Sequence, residues 1–456
     1  MITKLKDKAK KLLLWSQQYT RLDMFYMASS GFWTTATFGI TSVLSIALTF
    51  VFANFLPKET YGLYKYIMSL SGALAFLTFS GMNTAVTQAV AHGHDGILPY
   101  ALKFQLKWNM LFLAVSYVVG GYYFIHGNHV LALSLLILGT TFPFLSAFNT
   151  YGAFIIGKKD FKRLSAWSVV ASAIYNVAMI GAILYFKNIV LLVLVYALSN
   201  MLPQIYFYLK TLKLYKPISQ EPKQEKELLR YGAHLSFINI FSNLSQYVDK
   251  IVIFHFLGAI QLAVYGLALA IPERMRGYVK SYGSIILPKL SSKTIEDIIP
   301  VFYKRSFQGL LVGALASFAY ILIAPFAFHL LLPKYLDSIR YSQVISLSLM
   351  IVVPASYMGS VFHSQKMLKT IYLSSTVAHI SRIVAFILFG YLWGVWGVIY
   401  ASLLVSVLGF FYNMVLWEFE VRKHRRLGGL GNHSDEPVLE EPLVPISEYL
   451  SWTDYL

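Results

Sequence analysis

Apolar runs long enough to cross a bilayer recur almost without pause along this chain. They fall at 31–54, 64–84, 104–125, 129–156, 164–186, 189–209, 233–257, 262–287, 306–331, 341–363, 370–392 and 395–418. A hydrocarbon core of ~30 Å needs about 20 helical residues at ~1.5 Å each. Each run therefore predicts one membrane-spanning helix, about twelve in all. Lipid offers no partner to an open backbone N–H or C=O, so the spans must be helices or a closed barrel, and uninterrupted apolarity favours helices. With 57% hydrophobic and 13% charged residues, the composition excludes a soluble globular protein of this length.

The formal charge of +17 could suggest a nucleic-acid partner, but its distribution argues against one. Basic residues collect in alternate connections: Lys158, Lys159, Lys162 and Arg163; Lys210 through Arg230; Lys289, Lys293, Lys304 and Arg305; and Arg422 through Arg426. The intervening connections carry only Lys58, Lys65, Lys187, Lys334 and Arg340. This asymmetry places the basic loops and both termini on the cytoplasmic side of the cytoplasmic (inner) membrane. Residues 1–30 predict an amphipathic cytoplasmic segment, with Lys4, Lys6, Lys8, Lys10 and Lys11 set among Leu5, Leu12, Leu13 and Trp15. The connection at 210–231 holds Pro217, Pro222 and mixed charge, and divides the chain into lobes at 31–209 and 232–420. Residues 421–456 turn from basic to acidic and predict a disordered cytoplasmic tail. There is no cysteine, which removes thiolate metal sites, and no two histidines have metal-ligand spacing. No metal and no cofactor are expected.

Polar residues inside the spans mark the function. Asn239, Asn243, Gln246, Asp249 and Lys250 recur at three- and four-residue steps, on one face of a helix that ends in a very short turn near Gly258. Glu273, Arg276 and Lys280 repeat the pattern on the next helix, with Arg274 beside them. Arg382 lies near mid-depth with His379 on its face, while Thr34, Thr37 and Thr41 form a hydroxyl stripe on the first span. A charge at mid-bilayer costs at least ~2.5–3.5 kcal/mol, so such groups must face a protein interior or a water-filled cavity. Arg274, Arg276, Arg382, Lys250 and Lys280 outnumber Asp249 and Glu273, so the cavity is expected to bind an anion, with the two acids balancing charge or coupling to an ion. The hydroxyl stripe also suits bonds to its own helix.

Short motifs repeat across the midpoint. Phe55-Leu56-Pro57 precedes Tyr61-Gly62, and Phe256-Leu257-Gly258 precedes Tyr265-Gly266, as an internal duplication would leave. Together with Gly157-Lys158-Lys159-Asp160-Phe161-Lys162 and Leu287-Pro288-Lys289, these motifs resemble the O-antigen flippase type of polysaccharide transporter, within the multidrug/oligosaccharidyl-lipid/polysaccharide exporter superfamily. The resemblance implies two pseudosymmetric six-helix lobes around a central cavity. It also implies a non-enzymatic carrier that moves an undecaprenyl-diphosphate-linked oligosaccharide across the membrane by alternating access. Implied partners are the lipid-linked glycan, membrane lipids, a coupling ion (H+ or Na+) and polysaccharide assembly proteins. Three alternatives stay open: a cation-coupled antiporter of the multidrug and toxin extrusion (MATE) type, a lipid II flippase, and a membrane glycan polymerase.

Overall fold

The computed structural model describes residues 24–79, 81–217, 232, 236, 240–291 and 293–428. All regular structure among them is helical. The expected amphipathic segment up to residue 23, most of the 210–231 connection, Asn239 and the acidic tail lie outside the described residues.

Helix α1 spans Met24–Phe55 and α2 spans Lys58–Leu74, followed by a 3-10 turn at Ala75–Thr78 and by α3 at Met82–Ala91. Then come α4 (Ile97–Ile125), α5 (His129–Phe148), α6 (Thr150–Gly157), α7 (Phe161–Tyr185) and α8 (Ile189–Tyr215). Beyond the connection lie α9 (Ile240–Ser245), α10 (Val248–Ser291), α11 (Ile295–Leu331), α12 (Ser338–Ser346), α13 (Leu349–Ser364) and α14 (Leu368–Gly428). Chain contacts separate a compact unit ending at Phe411 from a second beginning at Tyr412.

Nine helices among the described residues are long and apolar enough to cross a membrane, where the apolar runs predicted twelve separate ones. The difference has local causes. The segment 58–91 is broken at Phe79, which takes a left-handed φ of 51°. The α10 and α14 helices each join two expected spans across one non-helical glycine, Gly258 (φ 84°) and Gly394 (φ 58°). The turn expected near Gly258 is present. Helix lengths also exceed the apolar runs: α8 continues to Tyr215, past the expected linker boundary at 210, and α11 begins at Ile295. There Thr294 and Asp297 form a reciprocal capping box.

Breaks inside a membrane need their polar groups satisfied. Gln105 Nε2 donates to the Phe79 carbonyl (3.3 Å), and Gly81 N–H donates to Ser236 Oγ (3.0 Å). Packing joins α4 to α5, α5 to α8, α7 to α1 and α8, and α11 to α13. Helix α2 packs along α10, bringing the first part of the chain against the second. The two Tyr-Gly motifs sit on this seam. A side chain at Gly62 would run into the backbone of Ala259, and one at Gly266 would meet Lys65 at 3.8 Å. Tyr66 and Phe254 stack across it with centroids 3.6 Å apart. At one end of the seam, Asn54 Nδ2 donates to the Leu331 carbonyl (2.9 Å) and Lys334 Nζ donates to the Asn54 carbonyl (2.5 Å). Beside them Lys58 lies 3.7 Å from Asp337 and over the ring of Tyr335.

Candidate functional site: a charged cavity on the α2–α10 seam

Gly258 folds α10 back so that its two limbs share one charge cluster. From the first limb, Lys250 Nζ lies 3.6 Å from Asp249 Oδ2 and 3.7 Å from Glu273 Oε1 on the second. Tyr265, also on the second limb, donates its hydroxyl to Asp249 Oδ2 at 2.8 Å. Asp249 is buried, and its Oδ1 has no hydrogen-bond partner. Breaking such a pair strands a buried charge at a cost of roughly 3–5 kcal/mol, so Asp249, Lys250 and Tyr265 bind the limbs together as much as they charge the site.

The cluster opens onto a cavity of about 360 Å³. Its charged lining is Lys65, Lys250, Glu273 and Arg274, three cations against one carboxylate. Tyr61 lines it beside Lys65, and Gly266, Ala270 and Gly277 leave one wall without bulk. Lys65 is the residue that sequence reasoning misplaced, grouping it with the lysines of a short connection. Pro57 precedes a helix that begins at Lys58, so Lys65 stands two turns inside α2, with its ammonium 5.4 Å from the ring centroid of Tyr61 one turn earlier. The Tyr-x-x-x-Lys spacing was the available signal. It places a cation from the first part of the chain where all the expected cations came from the second.

The other expected residues separate. Arg276 does not line this cavity. Its guanidinium donates to Ser348 Oγ, from Nε at 3.0 Å and also from Nη2, and it feels the charges of Glu273, Arg382 and Asp249. Arg382 is half-buried, makes no ion pair among the described residues, and has its Nε buried without a partner. His379 Nδ1 is 2.7 Å from Ser245 Oγ, which ties α14 to α9. Gln246 is exposed and bonds back to the Ser242 carbonyl (3.3 Å), while Asn243 is half-buried. Thr37 and Thr41 bond carbonyls of their own helix at 2.8 and 2.9 Å, and Thr34 is exposed. The helical position of Lys280 is described, its side chain is not. Among the described residues no group of His, Asp and Glu has the arrangement of a metal site.

The cavity can hold an anion in a partly dehydrated setting. At an effective dielectric of about 20, a unit charge 4 Å from one cation gains ~4 kcal/mol, against ~1 kcal/mol in bulk water. Among the described residues, Glu273, 3.7 Å from Lys250, is the one carboxylate in this lining.

A family profile described as "Polysaccharide biosynthesis protein" matches residues 27–293. No curated protein matches the chain. Among solved structures, the chain is similar to the lipid II flippase MurJ in an inward closed conformation, with a TM-score of 0.66 at 15% identity over 89% of this chain and 94% of that one. It is similar to an inward-facing MATE family multidrug resistance transporter of the MOP superfamily, with a TM-score of 0.63 at 15% identity over 83% and 94%. A MOP superfamily transporter from Pyrococcus furiosus gives 0.57 at 14% identity over 86% and 95%. At these identities the structures establish a shared fold.

Proposed function

Starting from the premise that the chain belongs to the polysaccharide biosynthesis protein family, a multi-pass membrane protein with the MOP-type transporter fold, we propose that it is a flippase for an undecaprenyl-diphosphate-linked oligosaccharide. The reading rests on one observation: Lys65, Lys250 and Arg274 face a single carboxylate, Glu273, around a cavity on the seam between the two parts of the chain. A diphosphate carries the multiple negative charge that such a lining rewards. The isoprenoid tail, apolar throughout, stays in the lipid while its head group crosses.

In this reading residues 31–209 and 232–420 form two lobes that rock about the cavity in the inner membrane. The contacts among Asn54, Lys58, Leu331, Lys334 and Asp337 close its outward end. Head-group binding draws Lys65 and Arg274 to the phosphates, and Glu273 with Asp249 holds the balancing charge on Lys250 once the head group has left. Arg276, bonded to Ser348, and Arg382, whose charge it feels, stand outside this cavity as further positive charge. A proton or sodium ion at Asp249 or Glu273 is the candidate driving ion, and polysaccharide assembly enzymes are the expected suppliers and consumers of the substrate.

The test is complementation of a strain lacking its lipid-linked O-unit flippase, scored by cytoplasmic-side accumulation of the undecaprenyl-diphosphate glycan. Relief of accumulation by the wild-type chain, with loss of relief in Lys65→Ala and Arg274→Ala variants inserted at normal levels, is expected. No relief in a host with a matching glycan, together with cation-dependent dye efflux, would move the assignment to a MATE-type antiporter.

A further inference from the structure

A second cavity, of about 290 Å³, lies among the α5–α6 junction, α7 and α8. Its lining shares no residue with the charged cavity. It contains no Asp, Glu, Lys, Arg or His. What it presents are amides from Asn149, Asn200 and Gln204, hydroxyls from Ser168 and Ser172, and the ring of Tyr175. These side chains recur at helical spacing, 168, 172 and 175 on α7 and 200 and 204 on α8, so one face of each helix is polar within the membrane. Such a face is costly unless something polar meets it.

The hydrogen bonds within the protein do not use these groups up. Gln204 Oε1 is buried without a partner. Asn200 commits its Nδ2 to the Tyr196 carbonyl (2.8 Å), which leaves its Oδ1 for a ligand. An ion would enter without a countercharge and a lipid tail would strand three amides, so both are disfavoured. An uncharged polyhydroxyl compound fits: it supplies donors and acceptors on its edges and an apolar ring face for a tyrosine. The volume matches the lower end of ligand clefts, ~300 Å³.

We propose that this cavity is a subsite for one uncharged sugar of the transported glycan, separate from the charged cavity that takes the diphosphate. The proposal rests on the lipid-linked glycan reading above. A structural link supports the division of labour. Tyr196 contacts the rings of both Tyr175, in the sugar cavity, and Tyr64 on α2, with centroids 5.8 and 6.5 Å apart. The α2 helix that carries Lys65 is therefore one tyrosine away from the sugar cavity.

The test measures saturation-transfer NMR from glucose, galactose, mannose and N-acetylglucosamine on the full-length protein in detergent, for wild type, Gln204→Leu, Gly152→Leu and Lys65→Ala. Gly152 lines the cavity, and a β-carbon there meets only Leu164 and Asn149, at 3.8 and 4.0 Å. Replacing a helix-interior glycine removes a penalty of about 1 kcal/mol, so this variant fills the cavity while keeping its fold. At least one sugar should bind wild type and Lys65→Ala equally, bind Gln204→Leu about tenfold more weakly, the factor that one lost hydrogen bond of ~1.4 kcal/mol carries, and bind Gly152→Leu at least as weakly because the added side chain occupies the cavity. Binding of none of the four sugars to wild type, which would mark the cavity as a water site, overturns the proposal. So does full binding to either folded cavity variant, or loss of binding in Lys65→Ala. A parallel arm compares flipping of the glycan-bearing lipid diphosphate with that of the bare lipid diphosphate in vesicles. Failure of the wild type to move the glycan lipid counts against the transport reading, whereas the sugar-binding result alone decides the subsite.

Discussion

Lys250 stands between two carboxylates on opposite limbs of one helix, and Tyr265 anchors the nearer of them. Tyr265→Phe should lower thermal stability by about 1–3 kcal/mol, the cost of leaving a buried acceptor short of a donor; an unchanged melting midpoint would mean that water replaces the hydroxyl. Lys65 carries a different kind of prediction. Lys65→Ala should weaken binding of inorganic diphosphate by roughly tenfold or more, with Lys65→Arg largely preserving it, as read by calorimetry on the purified protein. Equal affinity in Lys65→Ala would remove this residue from the anion site. At this scale the sequence was readable where spacing carried the message. Asp249, Lys250 and Glu273 follow helical periods and meet in one cluster, whereas Gln246 and Arg276, on the same expected stripes, bond to Ser242 and Ser348 instead. Lys65 was lost because, as the second residue of the 64–84 run, it was counted with the connection before it, whereas the helix already begins at Lys58. The Ser348 partner of Arg276 has no local signature, since folding alone brings α13 to α10.

Helices here outlast the apolar runs that announce them. Hydropathy measures the hydrocarbon thickness, whereas backbone hydrogen bonding can continue past the apolar run, as in α8, which extends to Tyr215. The break at Phe79 was illegible because the left-handed residue is a phenylalanine, and its carbonyl is capped by a glutamine from another helix. Gly258 was legible as a turn. Its φ of 84° with ψ of −178° is a conformation open essentially to glycine, so Gly258→Ala should cost about 1–3 kcal/mol and separate the two limbs of the charge cluster. Loss of stability should appear in a detergent melt, together with weaker diphosphate binding. The Gly-Lys-Lys-Asp motif after α6 explains itself as packing. A β-carbon on Gly157 would lie 2.7 Å from Val90 Cβ. Lys158 pairs with Asp95 (2.5 Å), and Asp160 caps α7 through the Arg163 N–H (3.1 Å) while accepting from Tyr215 at 3.0 Å. Gly157→Ala should destabilise by about 1–3 kcal/mol through overpacking, without altering diphosphate affinity.

Within the unit that ends at Phe411, the α2–α10 seam and, at one end, the Lys58–Asp337 cluster join the first part of the chain to the second. Because the sequence contains no cysteine, a Lys58→Cys, Asp337→Cys variant offers a clean target for a cleavable bifunctional thiol reagent long enough to span the former ion pair. Crosslinking should arrest transport and cleavage of the reagent should restore it; transport that continues through the crosslink would show that this end need not open. The doubled Tyr-Gly motif is visible in the sequence, but the contacts of Gly62 with Ala259 and of Gly266 with Lys65 have no representation in a linear pattern. The way Lys65 shares its cavity with Lys250 and Arg274 has a further consequence. The attraction felt by an anion belongs to neither half alone: it is a field summed across a joint. Parting the joint lengthens the distances and admits water, and a rise in effective dielectric from about 20 toward 80 weakens each charge–charge term about fourfold. If the proposed transport reading holds, release of a bound anion would require no chemical step, only the geometry of opening, and the protein would let go for the same reason that it opens.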